Sequence, residues 1–313
     1  MLRNRQNEAR WIGVGLAILL NLSLFACTQP QVSPLPETPL SSPEEIPTES
    51  IERVVALTSL SADILQRLDA SKLVGIPGSS LLEKDPRFAD IPPVSQGQTA
   101  PSLEKIIALK PDLVIGATGF HDQITARLTE LNIETYLVSL ESWESLEALT
   151  EAIASAIDAD PQPLLNQYQA FIPSSNPPGP STLILASTQP ILSPNKNSWS
   201  GDFLSQLNFE NVTADLQGNA PISGYITLSP EKILQIDPDV LIVIQFANQS
   251  PLKELESNGF WSQLKAVKTQ KVYVFDYYGL INPGTIDSIR NTSEQLLKIR
   301  AVTGQSTLIL DDG

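Results

Sequence analysis

Chemically reactive side chains are scarce in this chain. One histidine, His121, and one cysteine, Cys27, cannot supply the three or four ligands of a conventional His/Cys zinc site. A Ser-His-Asp triad would have to use His121, and no GxSxG turn accompanies it. The sequence contains neither a GxxxxGK(S/T) phosphate loop nor an HExxH motif. These residue types favour a protein that binds a ligand, and they disfavour an enzyme.

Aromatic side chains in loops are the candidates for a binding surface. Small-molecule sites are walled mostly by apolar and aromatic groups, with a few placed polar groups. Any one of these aromatic residues is equally well explained as core, and His121 is explained first as a solvent-facing residue at a helix start. Two tryptophans within helical patterns, Trp143 and Trp261, are predicted to be core. The candidate binding residues are Ser59, Phe120, His121, Trp199, Tyr225, Phe246, Tyr277 and Tyr278.

An internal repeat reveals the elements that would position these residues. Segment 102–115 recurs as 229–242, and half of the aligned positions are identical. Each copy starts with a serine, which is a good helix N-cap, and Pro230 suits the first helical position. Pro111 and Pro238 end the helices, because the residue before a proline is pushed out of helical geometry. A repeated helix–strand unit predicts two similar α/β lobes.

Strands alternate with helices on both sides of this repeat. Segments 53–57 and 72–76 read as strands of the first lobe, and 182–186 restarts the pattern in the second. Such alternation predicts right-handed βαβ units and mostly parallel sheets, with ligands beyond the carboxyl ends of the strands. The predicted fold is therefore α/β, with two Rossmann-like lobes joined by a connecting helix and a ligand cleft between them.

Size and charge limit the classes of partner. A chain of 313 residues has room for two lobes, at about 100–200 residues per domain. Its net charge of −15 argues against nucleic acid, because neutralising phosphates requires clustered Lys and Arg. The same charge argues against docking on an anionic lipid surface by charge alone.

The N-terminus reads as an export signal. Arginines among the first ten residues precede the apolar run 11–20, which is short for a spanning helix of about 20 residues. Leu24-Phe25-Ala26-Cys27 resembles the bacterial lipoprotein box, where cleavage precedes a lipidated cysteine. An uncleaved anchor, or an ordinary signal with an incidental cysteine, is the alternative. Because Cys27 is the only cysteine, the predicted fold has no disulfides.

The domain organisation follows from these segments. Residues 28–50 are rich in Pro, Ser, Thr and Glu and cannot bury enough surface to fold, so we expect an extended tether. The connector is short and is interrupted by Pro173 and the prolines of 176–180. The predicted boundaries are 1–27 for the lipoprotein signal, 28–50 for the tether, 52–158 for the first lobe, 159–178 for the connecting helix and linker, 179–305 for the second lobe and 306–313 for a tail.

Several blocks together resemble the periplasmic binding proteins for iron–siderophore complexes and vitamin B12. The blocks occur in the order and spacing typical of that family, over about residues 52–305. They are 53–57, 72–76 and 103–115 in the first lobe and 199–212, 229–242 and 260–276 in the second. The chain departs from the family at Asn208-Phe209-Glu210, where glycines are commoner, and in its shorter connector.

This resemblance implies a receptor that delivers a metal chelate to an ABC permease and its ATPase. It implies a ferric siderophore as the ligand, no cofactor of its own, a monomer, and a lipid anchor at the cell envelope on the periplasmic or extracytoplasmic side. One surface glutamate per lobe pairs with permease arginines in the family, and Glu104 and Glu231 match those positions. A favourable interaction with the helix dipole is the alternative role of both carboxylates.

Other ligands and functions stay open at this point. Cobalamin and haem are alternatives within the family. Paired tyrosines such as Tyr277-Tyr278 also resemble receptors that bind bare ferric iron through phenolates, although those need several converging ligands. From a different class, the chain is compatible with a sensor or scaffold lipoprotein that kept the fold. An extracytoplasmic enzyme is disfavoured by the lack of a catalytic cluster.

Overall fold

Two parallel β-sheets organise the computed structural model of the chain. The structure describes residues 51–97, 99–173, 177–218, 220, 222–246 and 251–308, with side chains to position 303 in the last helix. The predicted signal segment, with Cys27, and the predicted tether lie outside the described residues. Among the residues described, no helix is long and apolar enough to cross a membrane.

The first sheet has the strand order β2-β1-β3-β4, and all of its pairs are parallel. Its strands are β1 (Val54–Ala56), β2 (Leu73–Gly75), β3 (Leu113–Ala117) and β4 (Glu134–Val138). All three residues of β1 are fully buried, because the strand is central and covered on both faces.

Helices connect these strands, as parallel pairing requires. They are α1 (Ser59–Asp69), α2 (Ser80–Glu83), α3 (Leu103–Ala108), α4 (Asp122–Glu130) and α5 (Trp143–Ala156), followed by α6 (Gln162–Gln169) toward the second lobe. Short 3-10 helices cover Ala70–Lys72 and Pro86–Phe88. Ser142 and Ser145 form a reciprocal capping box that fixes the start of α5.

The second sheet has the strand order β11-β10-β5-β8, again entirely parallel, and a small antiparallel sheet β6-β7-β9 lies in the same lobe. The strands are β5 (Ser181–Leu185), β6 (Ser187–Thr188), β7 (Ile191–Pro194), β8 (Glu210–Asn211), β9 (Tyr225–Thr227), β10 (Val240–Gln245) and β11 (Val272–Asp276). The first five residues of β10 are buried, as the apolar pattern predicts.

The helices of the second lobe are α7 (Trp199–Gln206), α8 (Pro230–Ile236), α9 (Pro251–Glu256), α10 (Lys265–Lys268), α11 (Tyr277–Leu280) and α12 (Ile286–Leu308), with a 3-10 helix at Trp261–Gln263. The turn α11 is broken by non-helical backbone at Tyr278 and Gly279. A Cβ at Gly279 would lie 2.4 Å from the Ser288 carbonyl oxygen, so α12 packs against this turn only because the residue is glycine.

The internal repeat takes the same local structure in both lobes. Ser102 caps α3 and Ser229 caps α8, each accepting a hydrogen bond from the backbone N–H three residues on. The residues before the prolines, Lys110 and Asp237, are left-handed, with φ of 48° and 42°. The predicted helix ends are therefore confirmed, through a left-handed residue where the proline rule alone favours an extended one.

The aspartate after each proline ties the repeat to the neighbouring strand. Asp112 accepts hydrogen bonds of 2.9 Å from the backbone N–H groups of Glu52 and Arg53, just before β1. Asp239 accepts a hydrogen bond of 2.7 Å from the hydroxyl of Ser181, the first residue of β5. Equivalent residues thus set the start of a central strand in each sheet.

Aromatic packing joins the two lobes. Trp143, at the start of α5, stacks on Trp199, at the start of α7, with ring centroids 6.1 Å apart. The Trp143 backbone N–H also donates to the Asp202 carboxylate of α7 at 2.7 Å. Trp143 and Trp261 are each 7 % exposed, which confirms their prediction as core residues.

An ion-pair network is the second joint between the lobes. Asp63 of α1 is fully buried and pairs with Arg67 and Arg87, each at 3.0 Å. Its second oxygen accepts the backbone N–H of Ile286, the first residue of α12, at 2.8 Å. Arg67 also bonds Asp287 at 2.8 Å. Such pairing compensates the cost of burying the carboxylate, and it ties the first lobe to the last helix.

Candidate ligand-binding site

In the first lobe, the candidate residues lie at the carboxyl edge of the sheet. Ser59 begins α1 directly after β1, and Phe120 and His121 occupy the turn after β3. Because β1 and β3 are neighbours, their following loops lie side by side. Ligands of open parallel sheets bind at this edge.

The second lobe repeats this arrangement. Phe246 follows β10 and Tyr277 follows β11, and the two strands pair in register from Leu241–Val272 to Gln245–Asp276. Neighbouring strand ends therefore bring the two rings together, with centroids 4.8 Å apart.

The two carboxyl edges meet at Gly284. A Cβ built there would lie 3.0 Å from Cδ1 of Leu81 and 3.0 Å from Cδ1 of Tyr278. Leu81 belongs to α2 in the first lobe and Tyr278 to α11 in the second. Residues that follow β2 and β11 thus approach the same point, so the cleft between the lobes is bordered by both sheet edges.

Three rings form what we call the aromatic patch: Phe246, Tyr277 and Tyr278. Tyr277 packs against Phe246 and makes an edge-on contact with Tyr278, with centroids 5.3 Å apart. All three side chains are half-buried, so their packing leaves part of each ring accessible. The patch offers stacking faces and phenol groups to a ligand.

Tyr225 lies beside this patch with its phenol committed to the protein. It is hydrogen-bonded to Ser200, whose hydroxyl donates to the Leu280 carbonyl at 2.6 Å. Since Ser200 spends its only proton on Leu280, the Tyr225 hydroxyl is the donor in their bond. Burial raises the pKa of Tyr225 to about 12, and it also raises the pKa of Tyr278.

A cavity of about 520 Å³ adjoins the aromatic patch and shares Phe246 with it. Its polar wall is organised by Glu254, whose carboxylate accepts from the Thr188 hydroxyl at 2.6 Å and from the Gln189 side chain. Sequence reasoning missed these residues, although Ser187 to Gln189 follow the end of β5 and the strand-end rule points to them. The lining residues are Ser187, Thr188, Gln189, Ile244, Phe246, Pro251 and Glu254.

The first lobe offers less packed groups. Phe120 is 87 % exposed, so the residues that the structure describes leave most of this apolar side chain uncovered. Ser59 is half-buried at the first position of α1, where Thr58 is the N-cap. These two residues border the same sheet edge but do not form a cluster comparable to the aromatic patch.

His121 is held by the turn that it closes. Its ring Nδ1 accepts a hydrogen bond of 2.9 Å from the backbone N–H of Ala117. The backbone N–H of His121 donates to the Ala117 carbonyl at 2.9 Å. Burial lowers the pKa of His121, and the neighbouring Asp122 carboxylate opposes this to a smaller extent. The ring is thus neutral near pH 7.

Trp199 requires a correction, because the structure places it in the core and not on the cleft surface. It is 3 % exposed, stacks on Trp143, and donates from Nε1 to the Gly279 carbonyl at 2.9 Å. The reason is that α7 turns its first residue toward the other lobe. Trp199 supports the turn that carries Tyr278, and it contacts no open space itself.

Glu104 and Glu231 occupy equivalent exposed positions, in the first turns of α3 and α8. Each of these helices runs antiparallel to the strand that follows it. Its N-terminus therefore lies at the carboxyl edge of the sheet. A hydrogen bond with the Ser229 side chain lowers the pKa of Glu231 and keeps it ionised. The structure places one carboxylate at this edge in each lobe.

Within the described part of the chain, no group of three His, Cys, Asp or Glu side chains could hold a metal ion. The aromatic patch and its neighbours instead supply ring faces, phenol hydroxyls and a neutral imidazole. That inventory suits stacking and hydrogen bonding to a molecule that arrives complete.

A family comparison agrees with this architecture. The family model for periplasmic binding proteins matches residues 54–278, which include both sheets and the aromatic patch. The chain belongs to the periplasmic binding protein family. The resemblance recognised in the sequence and the predicted two-lobed α/β fold are both confirmed.

Individual relatives are more distant. The chain is 27 % identical to the Fe(3+)-citrate-binding protein of Bacillus subtilis over 191 residues, which cover 57 % of this chain and 58 % of that protein. It is 26 % identical over 250 residues to a high-affinity heme uptake system protein of Staphylococcus aureus, covering 74 % and 82 %. A crystal structure of an ABC transporter substrate-binding protein from Listeria monocytogenes superposes with a TM-score of 0.66 at 22 % identity, over 80 % of this chain and 99 % of that one.

Proposed function

We propose that this protein captures a ferric siderophore or a similar iron chelate in the cleft and delivers it to an ABC permease, without chemistry of its own. The observation that carries the proposal is the aromatic patch at the point where both carboxyl edges meet. Aromatic walls with few polar groups suit a large, complete chelate. The relative that binds ferric citrate supports iron as the cargo.

Haem is the second candidate, because the Staphylococcus aureus relative covers more of the chain than the ferric-citrate relative does. Tryptophan fluorescence tests both, because Trp143 and Trp199 pack at the joint of the lobes. Ferric hydroxamates, ferric catecholates, ferric citrate, cobalamin and haem are titrated with inner-filter correction. Saturable binding of one ferric chelate supports the proposal. Binding of cobalamin or haem alone replaces it within the same family, and no binding at all moves weight to a sensor or scaffold role.

Docking on the permease is assigned to Glu104 and Glu231. Both are exposed, they are equivalent by the internal repeat, and their helices start at the cleft edge. Reversal of both to Lys should abolish uptake of the chelate in cells while leaving the affinity of the purified protein unchanged. The matched control is charge reversal of Glu130 and Glu256, which are exposed at the C-terminal ends of α4 and α9. Normal uptake by the Glu104/Glu231 variant would refute the docking role.

Cys27 is proposed to carry the lipid that holds the protein, as a monomer, on the outer side of a membrane. The basis is the lipoprotein box in the sequence and the uniqueness of this cysteine. Metabolic labelling with a fatty acid should be lost in Cys27→Ser. Labelling that survives the substitution would exclude this anchor.

A further inference from the structure

The single histidine of the chain has a defined tautomer, and this bears on the cargo. The backbone N–H of Ala117 donates to Nδ1 of His121 at 2.9 Å. A nitrogen that accepts a hydrogen bond carries no proton, so the neutral ring has its proton on Nε2. Nε2 is therefore a hydrogen-bond donor.

This tautomer is the wrong one for a metal ligand. A histidine that coordinates metal through Nε2 holds its proton on Nδ1 and donates it to an acceptor. Here Nδ1 faces a donor, the backbone N–H of Ala117. Metal coordination through Nε2 would put the ring proton on Nδ1, so that two N–H donors would face each other. Coordination through Nδ1 would displace the same N–H.

The turn resists the rearrangement that would release Nδ1. The His121 N–H donates to the Ala117 carbonyl, and the His121 carbonyl accepts from the hydroxyl and the N–H of Thr125 at 2.9 and 3.0 Å. Gly116 passes directly beneath, since a Cβ there would lie 2.9 Å from Cβ of His121. Both ends of the residue are thus fixed against the start of α4.

We propose that His121 recognises the cargo as a donor, through Nε2–H, and not as a ligand to its metal. This rests on the proposed function and narrows it: the cargo is an iron complex with a full coordination shell and acceptor oxygens on its surface, such as carboxylate, hydroxamate or catecholate oxygens. His121 is half-buried at the carboxyl edge, next to the exposed Phe120. Burial of the ring keeps it neutral, in agreement with its lowered pKa.

Nitrogen-detected correlation spectra of the imidazole test the tautomer without any cargo. His121 is the only histidine, so the full chain, purified in detergent with a tag that lacks histidine, gives a single imidazole signal. At about pH 7.5 we expect the pattern of a neutral ring protonated on Nε2. A ring protonated on Nδ1, or an even mixture of the tautomers, would overturn the proposal.

Affinity measurements on the full chain test the contact. His121→Ala should weaken binding of the ferric chelate about tenfold, as expected for a hydrogen bond to a charged acceptor, and His121→Gln, which keeps a donor, should recover most of it. Any haem complex should show the same absorption spectrum in wild type and in His121→Ala. Unchanged chelate affinity in His121→Ala, or a haem spectrum with imidazole ligation that this variant loses, contradicts the proposal.

These experiments distinguish a failure of the proposed function from a failure of the inference about His121. If the wild type binds no ferric chelate, the proposed function fails and so does the contact of His121 with such a cargo. The imidazole spectrum still decides the tautomer in that case. If ferric chelate binds but the spectrum shows Nδ1–H, the function stands and the inference alone fails.

Discussion

The two sides of the cleft differ in how much of their surface is organised before a ligand arrives. On the second lobe, Phe246, Tyr277 and Tyr278 are half-buried and packed on one another. On the first lobe, Phe120 is 87 % exposed, and the polar residue beside it is the fixed ring of His121. A prepared wall loses little conformational entropy on binding, whereas an exposed side chain must be ordered. We therefore expect the second lobe to supply most of the affinity and the first lobe to supply discrimination.

The ion-pair joint that holds the two sides should show the largest effect. Asp63→Ala leaves Arg67 and Arg87 without their shared carboxylate and the Ile286 N–H without an acceptor. Removing one partner of a buried ion pair costs about 3–5 kcal/mol of the free energy of unfolding. Urea unfolding measures it. Asp90→Ala, at an exposed position, should change the free energy of unfolding by no more than about 0.5 kcal/mol. Equal effects in both variants would show that the ion-pair network does not stabilise the contact between the lobes.

Loss of the prepared wall is the next largest effect. Phe246→Ala and Tyr277→Ala each remove a ring worth about 1.5–3 kcal/mol when fully covered by a ligand, or about tenfold to a hundredfold in affinity. Isothermal titration with the ferric chelate gives the change. Tyr273→Ala, on β11 four residues before Tyr277, serves as the comparison. If it weakens binding as much as Tyr277→Ala, the loss reflects the strand and not the patch.

The open side should respond more weakly and without a cost in stability. Phe120→Ala removes a ring that packs on little protein, so the urea midpoint should not move. Its affinity loss should be smaller than that of Tyr277→Ala, because ordering Phe120 offsets part of the contact. A larger loss at Phe120 would reverse the assignment of the two sides.

The smallest expected effect is the pH dependence of His121. Burial lowers its pKa below the ordinary value of 6.5, so the unfolded chain binds this proton more tightly than the folded one. The stability contribution is complete above about pH 6.5 and is lost as the pH falls through the folded pKa. His121→Gln should therefore lose less stability than wild type between about pH 7.5 and pH 5.5 in urea titrations. Parallel curves for the two proteins would contradict a neutral, buried ring.

Local signals predicted much of the fold. The repeat predicted Ser102 and Ser229 as N-caps, and both cap their helices. The apolar runs after Pro111 and Pro238 form the central strands β3 and β10. Capping, proline geometry and strand patterning act within a few residues, so they are legible in a single sequence. The strand-end rule likewise placed Phe246 and Tyr277 at one edge.

The features that escaped prediction depend on distant partners. In the sequence, Trp199 stands at the end of a loop, like the other aromatic candidates for the binding surface. It is a core residue because it stacks on Trp143 of the other lobe. Asp63 was overlooked, although an acidic residue beside Ile64 and Leu65 in an apolar pattern is a signal of a buried charge. The tautomer of His121 depends on the path of the turn from Ala117, which residue types alone do not specify.

Equilibrium dialysis of the ferric chelate against wild type and the Phe246→Ala/Tyr277→Ala double variant tests most directly whether the aromatic patch binds the cargo. We expect one saturable site per chain in the wild type and an affinity at least a hundredfold lower in the variant. Equal affinity in the two proteins, or no saturable site in the wild type, would contradict the claim that this aromatic patch is where the chain holds its cargo.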